Sequence, residues 1–214
     1  MLKIALTKGR IEQKAVEMLA NCGYDTSELS DKGRKLLFHC PHEKAETLEI
    51  VLAKANDVIT YVEHGTCDIG IVGRDTIMEM GGTFYELLGL NFGICRFALA
   101  GPKGKNIHEG YAHRVIATKY PNVTKRYFES MDTECEIVKI DGSVELAPLL
   151  GLADAIVDIV ETGATLRENG LEVYEDVAPV SARCIVNNAS MKMRNDAVED
   201  FVERLSRQIP PSKS

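Results

Sequence analysis

The sequence contains no stretch approaching the roughly 20 apolar residues of a membrane-spanning helix, and its opening apolar run, Met1 to Leu6, is too short for a secretory leader. These absences predict a soluble, cytoplasmic protein with no membrane role. Paired cysteines are missing too. The six present (Cys22, Cys40, Cys67, Cys95, Cys135, Cys184) stand singly with no C-x-x-C, which argues against disulfides and structural zinc and predicts reduced thiols in or near a core. Basic residues are in deficit, 25 against 32 acidic for a net charge of −7, so a chain that coats nucleic acid is not expected and any polyanion must be met locally. The five histidines (His39, His42, His64, His108, His113) lack H-x-H or H-x-x-x-H spacing. His39 and His42 beside Cys40 have no fourth ligand nearby and read as loop residues. No G-x-S-x-G elbow, P-loop or G-x-G-x-x-G fingerprint is present, which removes the usual support for a hydrolase, an NTPase or a dehydrogenase.

What is present is an ordinary globular composition, 45% hydrophobic over 214 residues, with strand patterns alternating with helix patterns. Strands are expected at Leu2–Leu6, Leu36–Phe38, Leu48–Leu52, Asp68–Val72, Phe97–Ala100, Val115–Ala117, Ile137–Ile140 and Ala155–Val160. Helices are expected between them: one closed by Gly23, one capped by Asn56-Asp57 and closed by Gly65, one opened by Pro121, and one capped by Ser143. The last helix carries a Val198, Phe201, Val202, Leu205 stripe before an Ile209-Pro210-Pro211 end that should fray. The alternation predicts an α/β fold with mainly parallel sheets and flanking helices, and its restart near residue 92, with no linker, suggests two lobes joined by crossing strands.

The segment richest in chemistry runs from Asp154 to Leu166, an apolar strand entering a small-residue turn and a short helix. Amides at a helix start, the bare Gly163 and small Ala164, and the hydroxyls of Thr162 and Thr165 outline a phosphate cradle, although an αL turn with a helix cap has the same spelling. Asp158 is a carboxylate inside an apolar strand and should project toward polar ligand groups such as ribose hydroxyls. Glu145, in the turn Asp141-Gly142-Ser143-Val144-Glu145, stands either beside an anion site or simply at a helix dipole. Near the start, Thr7-Lys8-Gly9-Arg10 exits a strand into a helix with two cations, which suits a polyphosphate, and Arg34 and Lys35 add basic charge; a solvated basic face would look the same.

From Glu145 to Leu166 the sequence follows E-x5-G-x-[SAG]-x2-[IV]-x-D-[LIV]-x2-[ST]-G-x-T-[LM] throughout, and so resembles the phosphoribosyl-pyrophosphate segment of the ATP phosphoribosyltransferases. A-L-T-K-G-R at the start, D-I-G-I-V-G-R-D at Asp68–Asp75 and D-G-S-V-E at Asp141–Glu145 are similar to other blocks of that family. The chain stops after one terminal helix, which resembles the family's short form. The resemblance implies a two-lobed, type II periplasmic-binding-protein-like fold. Residues 1–91 plus 177–214 would form the first lobe, and 92–176 the lobe that takes phosphoribosyl pyrophosphate.

It also implies an activity: transfer of the phosphoribosyl group to N1 of ATP, releasing pyrophosphate, as the first step of histidine biosynthesis. Mg2+ carried mainly by the substrate pyrophosphate, a regulatory subunit related to histidyl-tRNA synthetase in a hetero-oligomer, and a homodimer of this chain within it come with that expectation. Thr162, Gly163, Ala164 and Thr165 would hold the 5′-phosphate, Asp158 and Glu145 the rest of the phosphoribosyl moiety, and Lys8, Gly9 and Arg10 the pyrophosphate or ATP phosphates. Arg34, Lys35 and Lys54 would be catalytic cations. The family usually has arginine where Lys54 stands, so the charge is kept while bidentate geometry is lost. Two alternatives stay open: a bilobal module that only binds a phosphorylated small molecule, and a phosphoribosyltransferase for another base.

Overall fold

A computed structural model describes residues 1–105, 107, 113–209 and 211; the expectations for His108 and Pro210 lie outside the described residues. Along the chain the elements are β1 (Leu2–Thr7), α1 (Arg10–Asn21), α2 (Ser27–Ser30), β2 (Leu37–Cys40), β3 (Leu48–Ala53), α3 (Ala55–Glu63), β4 (Ile69–Gly73), α4 (Arg74–Met80), β5 (Phe84–Gly89) and β6 (Cys95–Pro102). They continue as β7 (Val115–Thr118), α5 (Pro121–Ser130), β8 (Glu136–Lys139), α6 (Leu146–Leu149), β9 (Ala155–Val160), α7 (Ala164–Glu168), β10 (Leu171–Val180), β11 (Ala182–Asn187), α8 (Asn188–Met193) and α9 (Asn195–Ser206). Two compact units result, Met1–Gly93 with Ser181–Ser214, and Ile94–Val180. These boundaries differ from the expected cuts after residues 91 and 176. A cut at 176 would sever β10, whose pairing with β6 continues to Val180↔Cys95.

The first unit is a six-stranded sheet in the order β2-β3-β1-β4-β11-β5. Its centre is β1, parallel to β3 from Leu2↔Leu48 to Thr7↔Ala53 and parallel to β4. Central parallel strands are buried on both faces, which is why they read as nearly continuous apolar runs. On one face Leu2, Ile4 and Leu6 pack with Leu19 of α1 and with Val198, Phe201 and Leu205 of α9. On the other, Ala5 and Ile185 pack under Val58, Ile59 and Val62 of α3. The carboxyl-terminal segment is thereby built into this unit: β11 lies antiparallel between β4 and β5.

Asp68 ties that segment down. One carboxylate oxygen accepts from the Lys3 amide at 2.8 Å and pairs with Arg194 at 2.8 Å, and the other accepts from Ser190 Oγ at 2.7 Å. Asn187 caps α8 by accepting from the amides of Ala189 and Ser190 at 2.9 and 3.0 Å, while its Nδ2 donates to Val62 O at 2.7 Å.

The second unit is a five-stranded sheet in the order β10-β6-β9-β7-β8, with β7, β8 and β9 mutually parallel and β6 antiparallel to β9 and β10. Ala98, Ala100, Ala117, Ile156 and Val160 on one sheet face pack with Val144, Ala147 of α6 and Leu166 of α7.

The α/β, two-lobed class stands, but both sheets are mixed rather than mainly parallel, because strands β2, β5, β6 and β11 run against their neighbours. Three strands, β5, β10 and β11, have no counterpart in the sequence reading. In β10 the apolar alternation is broken by Glu172, Glu175, Asp176 and Pro179 and by two register shifts, as an edge strand tolerates. Two caps also differ: α3 starts after Lys54 rather than Asn56, and α6 after Glu145 rather than Ser143. Cys22, Cys40, Cys67, Cys135 and Cys184 are free thiols; burial pushes Cys184 up to about 12 and, as the largest cause, Cys40 and Cys67 up to about 11, which leaves these last three inert at neutral pH. No helix among the described residues is long and apolar enough to cross a membrane.

Candidate functional site

In the second unit the carboxyl ends of β7, β8 and β9 share one sheet edge. The chain moves outward from β7 to β8 and then returns past β7 to β9, so right-handed crossovers put α5 and α6 on opposite faces and open a crevice at the β7/β9 switch point. The turn after β9 fills that position. Gly163 has φ 72° and ψ 12°, a left-handed conformation that L side chains rarely adopt, and an added Cβ would come within 3.2 Å of Arg167 Nη1. Arg167 steadies the turn by donating to Thr162 O at 3.0 Å, and Thr162 Oγ1 accepts from the Ala164 amide at 3.3 Å. Leu166, nearly fully buried, anchors α7 to the sheet while Thr162, Ala164 and Thr165 remain exposed.

Asp158 lies two residues inside that edge. It shares the β9 face of Ile156 and Val160, the face covered by α6 and α7. Burial raises its carboxyl above the usual carboxylate range and the Glu145 charge raises it further, while the Ile159 amide and the Lys119 charge pull it down. Glu145, half-buried at the head of α6, is therefore an electrostatic neighbour of Asp158. Lys119, immediately beyond β7, was missed by the sequence reading; the only available signal was its place directly after a strand end.

The first unit presents a separate edge of the same kind. Parallel β1, β3 and β4 end there, with the switch point between β1 and β4. Antiparallel β2 begins there, since Leu37 pairs with Val51 and the Leu52 amide donates to Leu36 O at 3.0 Å. This edge thus gathers Lys8, Gly9, Arg10, Arg34, Lys35 and Lys54, residues far apart in sequence. Gly9 adopts φ 97°, ψ −136°, again a glycine conformation. The loop's amides are partly committed: Lys8 N donates to Ala53 O at 3.0 Å, and Gly9 N donates to Glu12 Oε2 at 3.2 Å. The buried Glu12 also pairs with Lys32. An anion at this loop would accordingly meet the side chains of Lys8 and Arg10 more than the Gly9 amide. Lys35 is engaged with Glu28 at 2.6 Å and lies 5.5 Å from the Phe38 ring centre, so part of its charge serves the local fold. Lys54 and Arg34 are exposed.

His42 and His39 make local contacts in the first unit. His42 Nε2 meets Cys22 O at 3.1 Å and its Nδ1 accepts from the Lys44 amide at 2.8 Å; His39 lies 3.7 Å from Glu49. A cavity of about 590 Å³ beside Tyr24 and His42 opens at the amino edge of the first sheet, opposite the basic loop.

Comparison with known proteins decides the family. The family model described as HisG, ATP phosphoribosyltransferase, matches residues 54–207. The chain belongs to the ATP phosphoribosyltransferase family. An ATP phosphoribosyltransferase from Clostridium kluyveri is 56% identical over 208 residues, spanning 97% of this chain and 94% of the relative. One from Clostridium botulinum is 55% identical, spanning 97% and 98%. A solved ATP phosphoribosyl transferase (HisG:HisZ) complex from Thermotoga maritima contains a chain 37% identical, with a TM-score of 0.81 and 98% of each chain covered. The alkanesulfonate-binding protein SsuA from Xanthomonas axonopodis, 10% identical with a TM-score of 0.57 over 97% of this chain and 72% of that one, shares the fold alone.

Proposed function

We infer that the protein transfers the 5-phosphoribosyl group of phosphoribosyl pyrophosphate to N1 of ATP, releasing pyrophosphate, as the first step of histidine biosynthesis. Family membership supports the reaction. The observation that supports the site is the left-handed Gly163 turn at the β7/β9 switch point, with two threonine hydroxyls beside it.

In this reading Thr162, Gly163, Ala164 and Thr165 receive the 5′-phosphate, and Asp158 accepts from the ribose hydroxyls with Glu145 alongside. Lys8 and Arg10 hold pyrophosphate or ATP phosphates, with Gly9 supplying the backbone conformation that presents them. Arg34, Lys35 and Lys54 offset negative charge on the departing group. The N1 lone pair forms the new bond to the ribosyl C1, and the C1–O bond breaks with its electron pair leaving on pyrophosphate. N1 carries no proton, so no general base is needed for attack, and the loss of one N6 proton to solvent restores a neutral ring. Catalysis then consists of orientation and of stabilising charge that builds on the ribose ring and the pyrophosphate.

Among the described residues no group of three or more His, Cys, Asp or Glu is arranged to hold a metal ion. Mg2+ in this reading travels on the pyrophosphate oxygens, where it would neutralise leaving-group charge. A HisZ-like regulatory subunit is the proposed partner, by likeness to the HisG:HisZ complex. Incubation with phosphoribosyl pyrophosphate and ATP, or with other purine and pyrimidine acceptors, while following pyrophosphate release, tests the reading. ATP alone should support release. Release with another base, or none, would overturn it.

A further inference from the structure

One cation that acts on Asp158 lies outside the motif. β7 and β9 are parallel neighbours in the register Ala117↔Ile156 and Thr118↔Val157, so the next rung sets Lys119 beside Asp158. Asp158 lies on the β9 face of Ile156, in the cluster under α6 and α7, and the exposed Lys119 leaves the end of β7 one residue past that register. Neighbouring strands are about 4.8 Å apart, close enough for a lysine ammonium to reach a carboxylate on the next strand.

Thr118 fixes the rung: its hydroxyl donates to Val157 O at 2.7 Å and accepts from the Tyr120 amide at 2.9 Å, holding Lys119 between two tethered residues. Glu145 at the head of α6 is the other charge felt at Asp158; of the arginines on neighbouring elements, Arg167 of α7 donates to Thr162 O, and Arg96 of β6, opposite Val160, pairs with Asp176 of β10. Arg167 and Arg96 thus have partners of their own, and Lys119 is the cation whose charge is felt at Asp158.

We propose that Lys119 is a positioning residue that acts through Asp158, fixing the carboxylate for the ribose hydroxyls of the phosphoribosyl donor. This rests on the function inferred above, but the neighbouring pair can be tested apart from it. Without Lys119 the Ile159 amide alone would offset burial and the like charge of Glu145, both of which favour the protonated form. The Lys119 charge adds to the Ile159 amide in favouring the ionised, acceptor form.

The test compares wild type with Lys119→Gln, Lys119→Arg and Lys119→Gln combined with Asp158→Asn. Lys119→Gln should lower kcat/KM for phosphoribosyl pyrophosphate roughly tenfold to a hundredfold, as loss of positioning does. It should also move the acid limb of the profile to higher pH. Lys119→Arg should restore most of the rate, and in the Asp158→Asn background Lys119→Gln should add little. A carboxyl 13C titration of Asp158 in the ligand-free protein gives a second readout that needs no turnover; its midpoint should rise in Lys119→Gln. An unmoved midpoint, or losses that simply add in the double variant, would overturn the proposal. If wild type releases no pyrophosphate while the midpoint still moves, the pairing stands and the function inferred above is what fails.

Discussion

Asp158→Asn separates stability from function at one atom. In the folded protein the carboxyl is held above its ordinary value of 3.8, mainly by burial, so the ionised group is less comfortable folded than unfolded. The native state binds the proton more tightly, and stability therefore falls as pH rises from the unfolded value through the raised folded one. At neutral pH the full cost is present; below about 3.8 both states are protonated and it vanishes. Asparagine has nearly the same shape and no charge, so the variant should be more stable than wild type at pH 7, by about 1 kcal/mol on the usual scale for desolvating a polar group. For a chain of this length that is a rise of roughly 2–4 °C in Tm. The advantage should shrink as pH falls through the raised pKa. Activity should move the other way: a hydrogen bond to a charged acceptor is worth about 1.5–3 kcal/mol, so kcat/KM for phosphoribosyl pyrophosphate should drop roughly tenfold to a hundredfold. Melting curves from pH 4 to 8 and steady-state kinetics read both effects. A variant less stable than wild type at pH 7 would show that Asp158 carries no burial cost, and one with wild-type kcat/KM would show that its carboxylate does not hold the ribose hydroxyls.

Thr165→Ala removes a hydroxyl from the exposed turn and should cost roughly tenfold to a hundredfold in kcat/KM with an unchanged Tm; wild-type kinetics would show that the phosphate lies elsewhere. Arg10→Gln should change stability by under about 0.5 kcal/mol yet weaken catalysis, and an unchanged rate at saturating and limiting substrates would make Arg10 a surface cation only. Asp68→Asn weakens the contacts to Lys3, Ser190 and Arg194 that hold the carboxyl-terminal segment, so it should cost about 2 kcal/mol and lower Tm by roughly 4–8 °C, measured by calorimetry. An unchanged Tm would remove Asp68 from that role.

The features legible in the sequence were those whose physics is local. The Val198, Phe201, Leu205 stripe announced a helix, and the structure buries those three residues in the first unit's core. The Thr162–Thr165 turn was visible because strand, turn and helix are contiguous. By contrast β10, with its charges and Pro179, hides its strand character because only pairing with β6 stabilises it. β11 was not assigned because its place between β4 and β5 is a long-range pairing. The same distinction holds at the site. The charge of Lys119 reaches Asp158 only because β7 and β9 are neighbours in the sheet, and the gathering of Lys8, Arg34 and Lys54 at one edge follows from a strand order that no local pattern encodes. Gly9 read as a ligand-binding position, whereas its amide already donates to Glu12 and its backbone conformation is the reason for glycine there.

The reaction is defined by one new bond, between the ribosyl C1 and N1 of the adenine ring. The most direct measurement is NMR of the product formed from phosphoribosyl pyrophosphate carrying 13C at C1 and ATP carrying 15N at N1. A one-bond coupling between those two nuclei, appearing as pyrophosphate is released, is the predicted result; release without that coupling would contradict it.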